Sequence, residues 1–189
     1  TPRQSAKFAD CLLQDTINKA TALKNKLIIA YSPIEGRSYF DGFTDHSFTL
    51  NAQIGKDLGE RMFNAFEFAF EQDLDSVLMI GTDSPTFPGE LLTKAFKVLT
   101  EKDAVLGETE DGGYYMIGLR KLDKQIFEGV EWSSETTFRQ TKNNLEDLGF
   151  SLEELPIWYD IDEPKDLHRL RQDKYLQQFA PITAKWLEN

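Results

Sequence analysis

Residues 76–89 read SVLMIGTDSPTFPG, an aliphatic run that stops at Ile80 and gives way to Gly81-Thr82-Asp83-Ser84-Pro85. Four aliphatic residues without polar alternation predict a strand buried on both faces, as in a parallel sheet covered by helices. A carboxylate at the C-terminal edge of such a strand stands where open α/β sheets bind ligands. Asp83 therefore has two readings. It is a turn residue ahead of Ser84-Pro85, or it holds a ligand.

On both sides of this stretch, strand patterns alternate with helix patterns. Thr1-Pro2-Arg3-Gln4 has the form of a capping box with proline at the first helical position. It predicts a helix from Pro2 that turns Ala9, Leu12, Leu13, Thr16, Ala20 and Leu23 toward a sheet. Because α/β domains seldom open on a helix, a strand and a loop are expected ahead of Thr1. Residues 26–33 (KLIIAYSP) predict a short strand ended by Pro33, and 34–48 an irregular aromatic-rich loop. Residues 51–72 pass from a Gly-punctuated loop into a helix with Leu58, Met62, Phe66 and Ala69 inward. A helix over about 88–101 follows, with Leu92, Ala95, Phe96 and Leu99 inward. Residues 103–119 (DAVLGETEDGGYYMIGL) give two strands around an acidic, Gly-rich loop. A helix over 133–149 is expected to be capped by Ser133 or Ser134 and stopped by Gly149. A strand at 150–156 and a last helix over 160–179 complete the chain. This alternation predicts a single domain over residues 1–189. Its fold is a three-layer α/β/α sandwich around a mixed, mostly parallel sheet.

Composition removes several classes of function. The 189 residues are 40% apolar and 12% aromatic, which is a folding composition. The single cysteine, Cys11, excludes disulfides and cysteine-rich zinc sites and points to the cytoplasm. No apolar run reaches the roughly 20 residues of a membrane span. A formal charge of −11 opposes nucleic-acid binding. It also makes any polyphosphate ligand depend on a metal ion or a local basic loop. No Rossmann glycine pattern, Walker P-loop or G-x-S-x-G elbow is present. The two histidines, His46 and His168, read as surface or structural residues.

What remains are acidic loops at strand ends: Thr82–Pro85, Glu108–Gly113 and Asp160–Pro164. Converging carboxylates hold a hard cation such as Mg²⁺, leaving water and substrate phosphates to complete its shell. Gly112-Gly113 admits backbone close to a ligand. Each loop also has a plain structural reading. Asp111-Gly112-Gly113 has the form of a hairpin turn, and Asp162 stands where a helix N-cap would stand.

Taken together, QIGKDLGERM (53–62), IGTDSP (80–85), AVLGETEDGGYYMIGL (104–119), VEWSSETTF (130–138) and YDIDEPKDL (159–167) resemble the radical-SAM/selenodomain-associated transferase family. More distantly, the chain is similar to the guanylyltransferases for 2-phospholactate and for the molybdenum cofactor. The resemblance runs from Thr1 to about Leu170 and implies a nucleotide-diphospho-sugar transferase (glycosyltransferase-A-like) fold. It places Asp83 as the metal-holding strand-end acid and Asp162 as a second metal-facing carboxylate, with Mg²⁺ or Mn²⁺ as the cofactor. It places Gln53, Gly55, Leu58 and Gly59 beside the nucleotide, and Asp111, Gly112 and Gly113 on the acceptor side. Arg61 offers an always-charged guanidinium from the first turn of its helix to a phosphate.

One part of the family pattern is absent. A first strand and a loop of the P-G-x-x-K-T-R-L type, which would cradle phosphates, precede the Thr-Pro helix in the family. Without that strand, a vacant position is expected beside the 77–80 strand.

The expected function is a metal-dependent glycosyl- or nucleotidyltransferase. It would act on a nucleotide-activated small molecule and an acceptor that the sequence does not name, with Asp111 orienting or deprotonating that acceptor. The alternative is a catalytically inactive nucleotide- or sugar-phosphate-binding module of the same fold. A haloacid-dehalogenase-type phosphatase fits poorly, since Pro164 fills the [TV] place of D-x-D-x-[TV] and the motif lies late in the chain. The transferase reading carries a geometric expectation. Asp83, Asp111 and Asp162 should line one concave site, Asp83 and Asp162 should be close enough to share a cation, and their repulsion should raise a carboxyl pKa.

Overall fold

The computed structural model describes residues 1–43 and 47–188, so the expectation for His46 lies outside the described residues. Helix α1 (Pro2–Thr21) begins at the capping box read from the sequence. Thr1 Oγ1 accepts from the Gln4 amide at 3.4 Å, and Gln4 Oε1 accepts from the Thr1 amine at 3.0 Å. Strand β1 (Ile28–Tyr31) follows, and then a 3₁₀ segment over Ile34–Gly42 where an irregular loop was expected. Strand β2 (Thr49–Ala52) was missed because its four residues, Thr-Leu-Asn-Ala, carry little apolar signal. It is held by parallel pairing with β1.

Asp57 caps helix α2 (Leu58–Phe70), its carboxylate accepting from the Glu60 amide at 2.8 Å. Met62, Phe66 and Ala69 are buried, but Leu58 is 44% exposed. It sits at the first helical position, just ahead of the buried Gly59. Then come β3 (Val77–Ile80), α3 (Glu90–Val98), β4 (Ala104–Thr109) and β5 (Tyr114–Leu119). Helix α4 (Thr137–Asp147) starts after Thr136, not after Ser133 or Ser134. Ser134 Oγ instead donates to the Glu131 carbonyl at 2.8 Å, closing a turn ahead of the helix. Gly149, at φ +71°, ends it as expected. Strand β6 (Leu152–Trp158) leads to three short helices, α5 (Asp166–Gln172), α6 (Leu176–Phe179) and α7 (Pro181–Leu187), in place of one.

The larger sheet has the order β3-β5-β4-β6. Strand β5 runs antiparallel to both neighbours, while β4 and β6 are parallel. Three of its four strands therefore share one direction, and β5 returns between them through the β4–β5 hairpin. Helices cover both faces. On one, Met62, Phe66 and Leu145 pack with Leu106 and Ile117; on the other, Leu92 and Ala95 pack with Val105, Met116 and Leu155. This is the expected three-layer arrangement.

The opening strand differs from its reading. All four residues of β3 are only partly buried, whereas β4 and β5 are buried almost throughout. Strand β3 is the edge of its sheet, and β1–β2 form a separate parallel pair. An edge strand leaves one row of backbone groups and flanking side chains without a neighbour.

Helix α1 is buried on a broader face than its periodicity showed. Cys11, Asp15 and Ile17 join Leu12 and Thr16 inside, while Ala9 is exposed. Ile17 packs with Ile29, Tyr31 and Phe40, while Asp15 meets α7. Asp15, 2% exposed, accepts from the Ile182 amide at 3.1 Å and the Thr183 amide at 2.8 Å, and so caps α7 across the chain. Asp15→Ala should cost about 2 kcal/mol, because two helix-terminal donors lose their charged acceptor. Urea denaturation checks this. Asp15→Asn, which keeps one acceptor oxygen, should cost less.

Candidate functional site

The loop after β3 is the anchor of the site. Ser84, Thr86 and Phe87 are at most 1% exposed, although they belong to a turn. Lys19 of α1 explains part of this. Its ammonium donates to the Pro85 carbonyl at 2.7 Å and the Phe87 carbonyl at 2.8 Å, and lies 3.8 Å from the centre of the Phe87 ring. Burial pushes the Lys19 pKa down to about 7, while Asp15 pulls it back up. Thr86 supplies the rest. Its Oγ1 accepts from Trp158 Nε1 at 3.1 Å and donates to the Tyr159 hydroxyl at 3.1 Å.

These contacts fasten the loop to the segment after β6. The Ile161 amide donates to the Asp83 carbonyl at 2.9 Å, so Asp83 lies beside Asp160-Ile161-Asp162. Gly81 makes room for the turn. A Cβ there would stand 2.6 Å from Asp83 Oδ1, because the carboxylate folds back over its own strand. Ser84 Oγ, buried next to Asp83, has no hydrogen-bond partner among the described residues.

The second acidic loop closes the β4–β5 hairpin, as the turn reading of Asp111-Gly112-Gly113 foresaw. Asp111 Oδ1 accepts from the Gly113 amide at 3.0 Å and from Thr109 Oγ1 at 2.5 Å. Gly112 has φ +88°, and a Cβ on it would stand 2.2 Å from the Glu135 carbonyl oxygen. The Phe138 amide donates to the Gly112 carbonyl at 2.8 Å, tying the hairpin to the start of α4. The Glu110 amide donates to the Trp158 carbonyl at 3.0 Å, setting this loop against the end of β6.

As a result, one carboxylate oxygen from each of Asp111, Asp160 and Asp162 lies within 4.8 Å of the others. Oxygen-only donors at such spacing suit a hard divalent cation. Asp83 lies outside this triple but belongs to its electrostatic surroundings. The residue as a whole is exposed, yet surrounding protein desolvates its carboxyl and raises its pKa. The charges of Asp162 and Asp111 raise it further. Desolvation also pushes the Asp160 carboxyl up to about 6, aided by Asp111, Asp162 and Asp83. The Asp162 carboxyl is raised by desolvation and then by Asp111, Asp166 and Glu163. Asp83, Asp111, Asp160 and Asp162 thus form one patch of like charge.

Asp162 is not an N-cap. Helix α5 starts after Lys165, and Asp166 at its first position reaches back to accept from the Asp162 amide at 3.2 Å and the Glu163 amide at 2.8 Å. The Asp162 side chain is left to the cluster. Asp160, which sequence reasoning left out of its metal pair, joins instead; its place two residues before Asp162 in an extended stretch was the available signal, since such residues share a face.

The residues expected beside a nucleotide have structural partners. Gln53 extends β2, its amide donating to the Tyr31 carbonyl at 2.8 Å and its side chain to the Ala30 carbonyl at 2.9 Å. Arg61 Nε donates to the Gly55 carbonyl at 3.2 Å, folding the 55–61 turn on itself. Gly55 has φ +148°, and a Cβ there would stand 2.7 Å from the Arg61 amide nitrogen. Gly59 packs against Trp132, with room for no Cβ. No hydrogen bond among the described residues joins these four residues to the acidic cluster.

A mixed α/β sheet, with acidic loops gathered at its strand ends, defines a fold of the nucleotide-diphospho-sugar transferase class. A crystal structure from Desulfovibrio desulfuricans G20, named "putative nucleotide-diphospho-sugar transferase", superimposes with a TM-score of 0.87 at 28% identity. The match covers 98% of this chain and 83% of that one. The bifunctional IspDF of Campylobacter jejuni matches with a TM-score of 0.60 at 13% identity, over 84% of this chain and 46% of that chain, a likeness of fold alone. No curated protein matches the chain. The chain belongs to the bacterial family DUF2064, described as "uncharacterized protein conserved in bacteria", which matches residues 16–134. No helix of the described residues is long and apolar enough to cross a membrane.

Proposed function

We propose that the protein is a metal-dependent transferase that moves a glycosyl group from a nucleoside-diphosphate donor to an acceptor. The observation that carries this reading is the convergence of Asp111, Asp160 and Asp162, with Asp83 beside them, at the ends of β3, β4 and β6. The likeness to the Desulfovibrio structure supports it, as does the motif resemblance to radical-SAM/selenodomain-associated transferases. Asp111, Asp160 and Asp162 would hold Mg²⁺ or Mn²⁺, with Asp83 as a further carboxylate at the end of β3. The bound cation supplies neutralisation of charge on the diphosphate leaving group. Asp111 has one oxygen fixed by Gly113 and Thr109, so its carboxylate is held at a set orientation for the acceptor side. Gln53, Gly55, Leu58, Gly59 and Arg61, around the start of α2, would border the nucleotide, with Gly112 and Gly113 closing its other side.

Calorimetry with nucleoside diphosphates, with and without Mn²⁺, tests the reading. Binding should require Mn²⁺, because a chain of charge −11 repels a polyphosphate. Equal binding in EDTA would contradict it.

The pH dependence has a definite sign. The Asp160 carboxyl lies above the ordinary 3.8, at about 6, so the folded state takes up a proton more readily than the unfolded one. Its relative stabilisation is complete below pH 3.8 and is lost as pH rises through 6. Mn²⁺ reverses this cost by replacing the proton. The Mn²⁺ affinity should therefore fall about tenfold from pH 7 to pH 5, readable as a smaller thermal shift at the lower pH.

A further inference from the structure

A recess of about 350 Å³ opens beside the acidic cluster, walled by Trp158, Tyr159, Tyr175, Arg169, Gln172 and Glu110. Its volume falls in the range of small-molecule sites, about 300–1,000 Å³. It shares its strand ends with the cluster. Glu110 immediately precedes Asp111, and Tyr159 immediately precedes Asp160. The recess therefore flanks two of the three clustered carboxylates along the chain, although none of the three lines it.

The wall is aromatic and charge-paired. Arg169 forms a two-pronged ion pair with Glu110, Nη1 to Oε2 at 2.5 Å and Nη2 to Oε1 at 2.7 Å, while its guanidinium lies 3.9 Å from the Tyr159 ring centre. The Tyr159 hydroxyl donates to Asp173, whose other oxygen accepts from the Tyr175 amide at 2.8 Å. Lys174 lies 4.7 Å from the Tyr175 ring centre. The formal charges of Glu110, Asp173, Arg169 and Lys174 sum to zero, with Arg169 held by Glu110, while the Lys174 ammonium meets the Tyr175 ring and no carboxylate among the described residues. Trp158 is fixed by its bond to Thr86, with Tyr175 5.9 Å away, centre to centre. Ile157, at the rim, is 58% exposed.

Rigid aromatic faces offset by planar hydrogen-bonding side chains, at zero net wall charge, suit a ligand with C–H faces and hydroxyl edges. We propose that this recess binds a neutral pyranose ring and is the acceptor subsite; the acceptor assignment rests on the glycosyl-transfer reading above. A phosphate or nucleotide would need free cations, and here the Arg169 guanidinium is already taken up by Glu110, which leaves only the exposed Lys174.

Titration with methyl pyranosides, followed by tryptophan fluorescence and calorimetry, tests the proposal on the full chain. Wild type should bind at least one of them saturably. Gln172→Ala and Tyr175→Ala should each weaken binding at least fivefold, while leaving the Mn²⁺ affinity and the melting temperature near wild type. Absence of saturable binding overturns the proposal, as does binding that neither variant changes. Binding of inorganic phosphate that competes with the glycoside and is lost in Arg169→Ala overturns the neutral-ligand assignment. If pyranosides bind but Mn²⁺ and nucleotides do not, the transferase reading fails and the sugar site stands. The opposite pattern removes only the sugar site.

Discussion

Asp162→Asn should leave a folded protein that binds Mn²⁺ on the order of 100-fold more weakly. Loss of groups that only support metal ligands already costs about 10- to 100-fold. Removal of a direct carboxylate ligand should reach at least the upper end of that range. The same substitution should not destabilise the metal-free protein. Asp162 raises the carboxyl pKa of both Asp160 and Asp83, so its charge is a repulsive burden there. Neutralising it relieves that repulsion, and the metal-free melting temperature should hold or rise. A simple structural role for Asp162 predicts the reverse: a lower melting temperature with no change in the Mn²⁺-induced shift. Thermal melts with and without Mn²⁺ separate the two in one experiment.

Gly112→Ala should be the most damaging single-methyl change in the site. Its φ of +88° disfavours any side chain, at a cost of about 1–3 kcal/mol. The added methyl would also stand 2.2 Å from the Glu135 carbonyl, backbone that cannot swing aside. Relief requires the hairpin to leave α4, breaking the Phe138-to-Gly112 hydrogen bond and carrying Asp111 with it. The combined loss should exceed about 3 kcal/mol, or roughly 6–12 °C in melting temperature for a domain of this size. The Mn²⁺ affinity should fall as well. Gly113→Ala makes a milder comparison, since its nearest neighbours are side-chain atoms, the Thr109 hydroxyl at 3.0 Å and Asp111 Oδ1 at 3.3 Å, which can give by a few tenths of an ångström. It should cost about 1 kcal/mol. A Gly112→Ala protein that melts within a degree or two of wild type would contradict the tight approach of the two segments.

These two residues show what a linear reading reaches. The strand end at Asp83, the Asp-Gly-Gly turn and the Asp-Ile-Asp stretch were all legible, because each is a local pattern at the end of an apolar run. The layer order was legible from the alternation of periods. What escaped depends on distant pairing. Strand β2 has no apolar signature and exists through its partner β1. The edge position of β3 follows from the insertion of β5, and aliphatic content does not register strand order. The pins on the Asp83 loop come from Lys19, 66 residues away, and from Trp158 and Tyr159, more than 70 residues away. Asp15 caps a helix 167 residues further on. Each of these is an ordinary residue in sequence, made special only by the fold. The choice of Asp83 and Asp162 as a metal pair rested on motif position; geometry gathers Asp111, Asp160 and Asp162 most closely and sets Asp83 at their side.

The central claim is that these carboxylates hold a divalent cation. Crystals soaked in Mn²⁺ provide the most direct measurement, through the anomalous scattering of the ion. The account predicts one strong peak within bonding distance, about 2.1–2.3 Å, of oxygens from Asp111, Asp160 and Asp162, with Asp83 bonded directly or through water. A map with no peak at the cluster, from crystals that retain Mn²⁺ elsewhere or not at all, would contradict it.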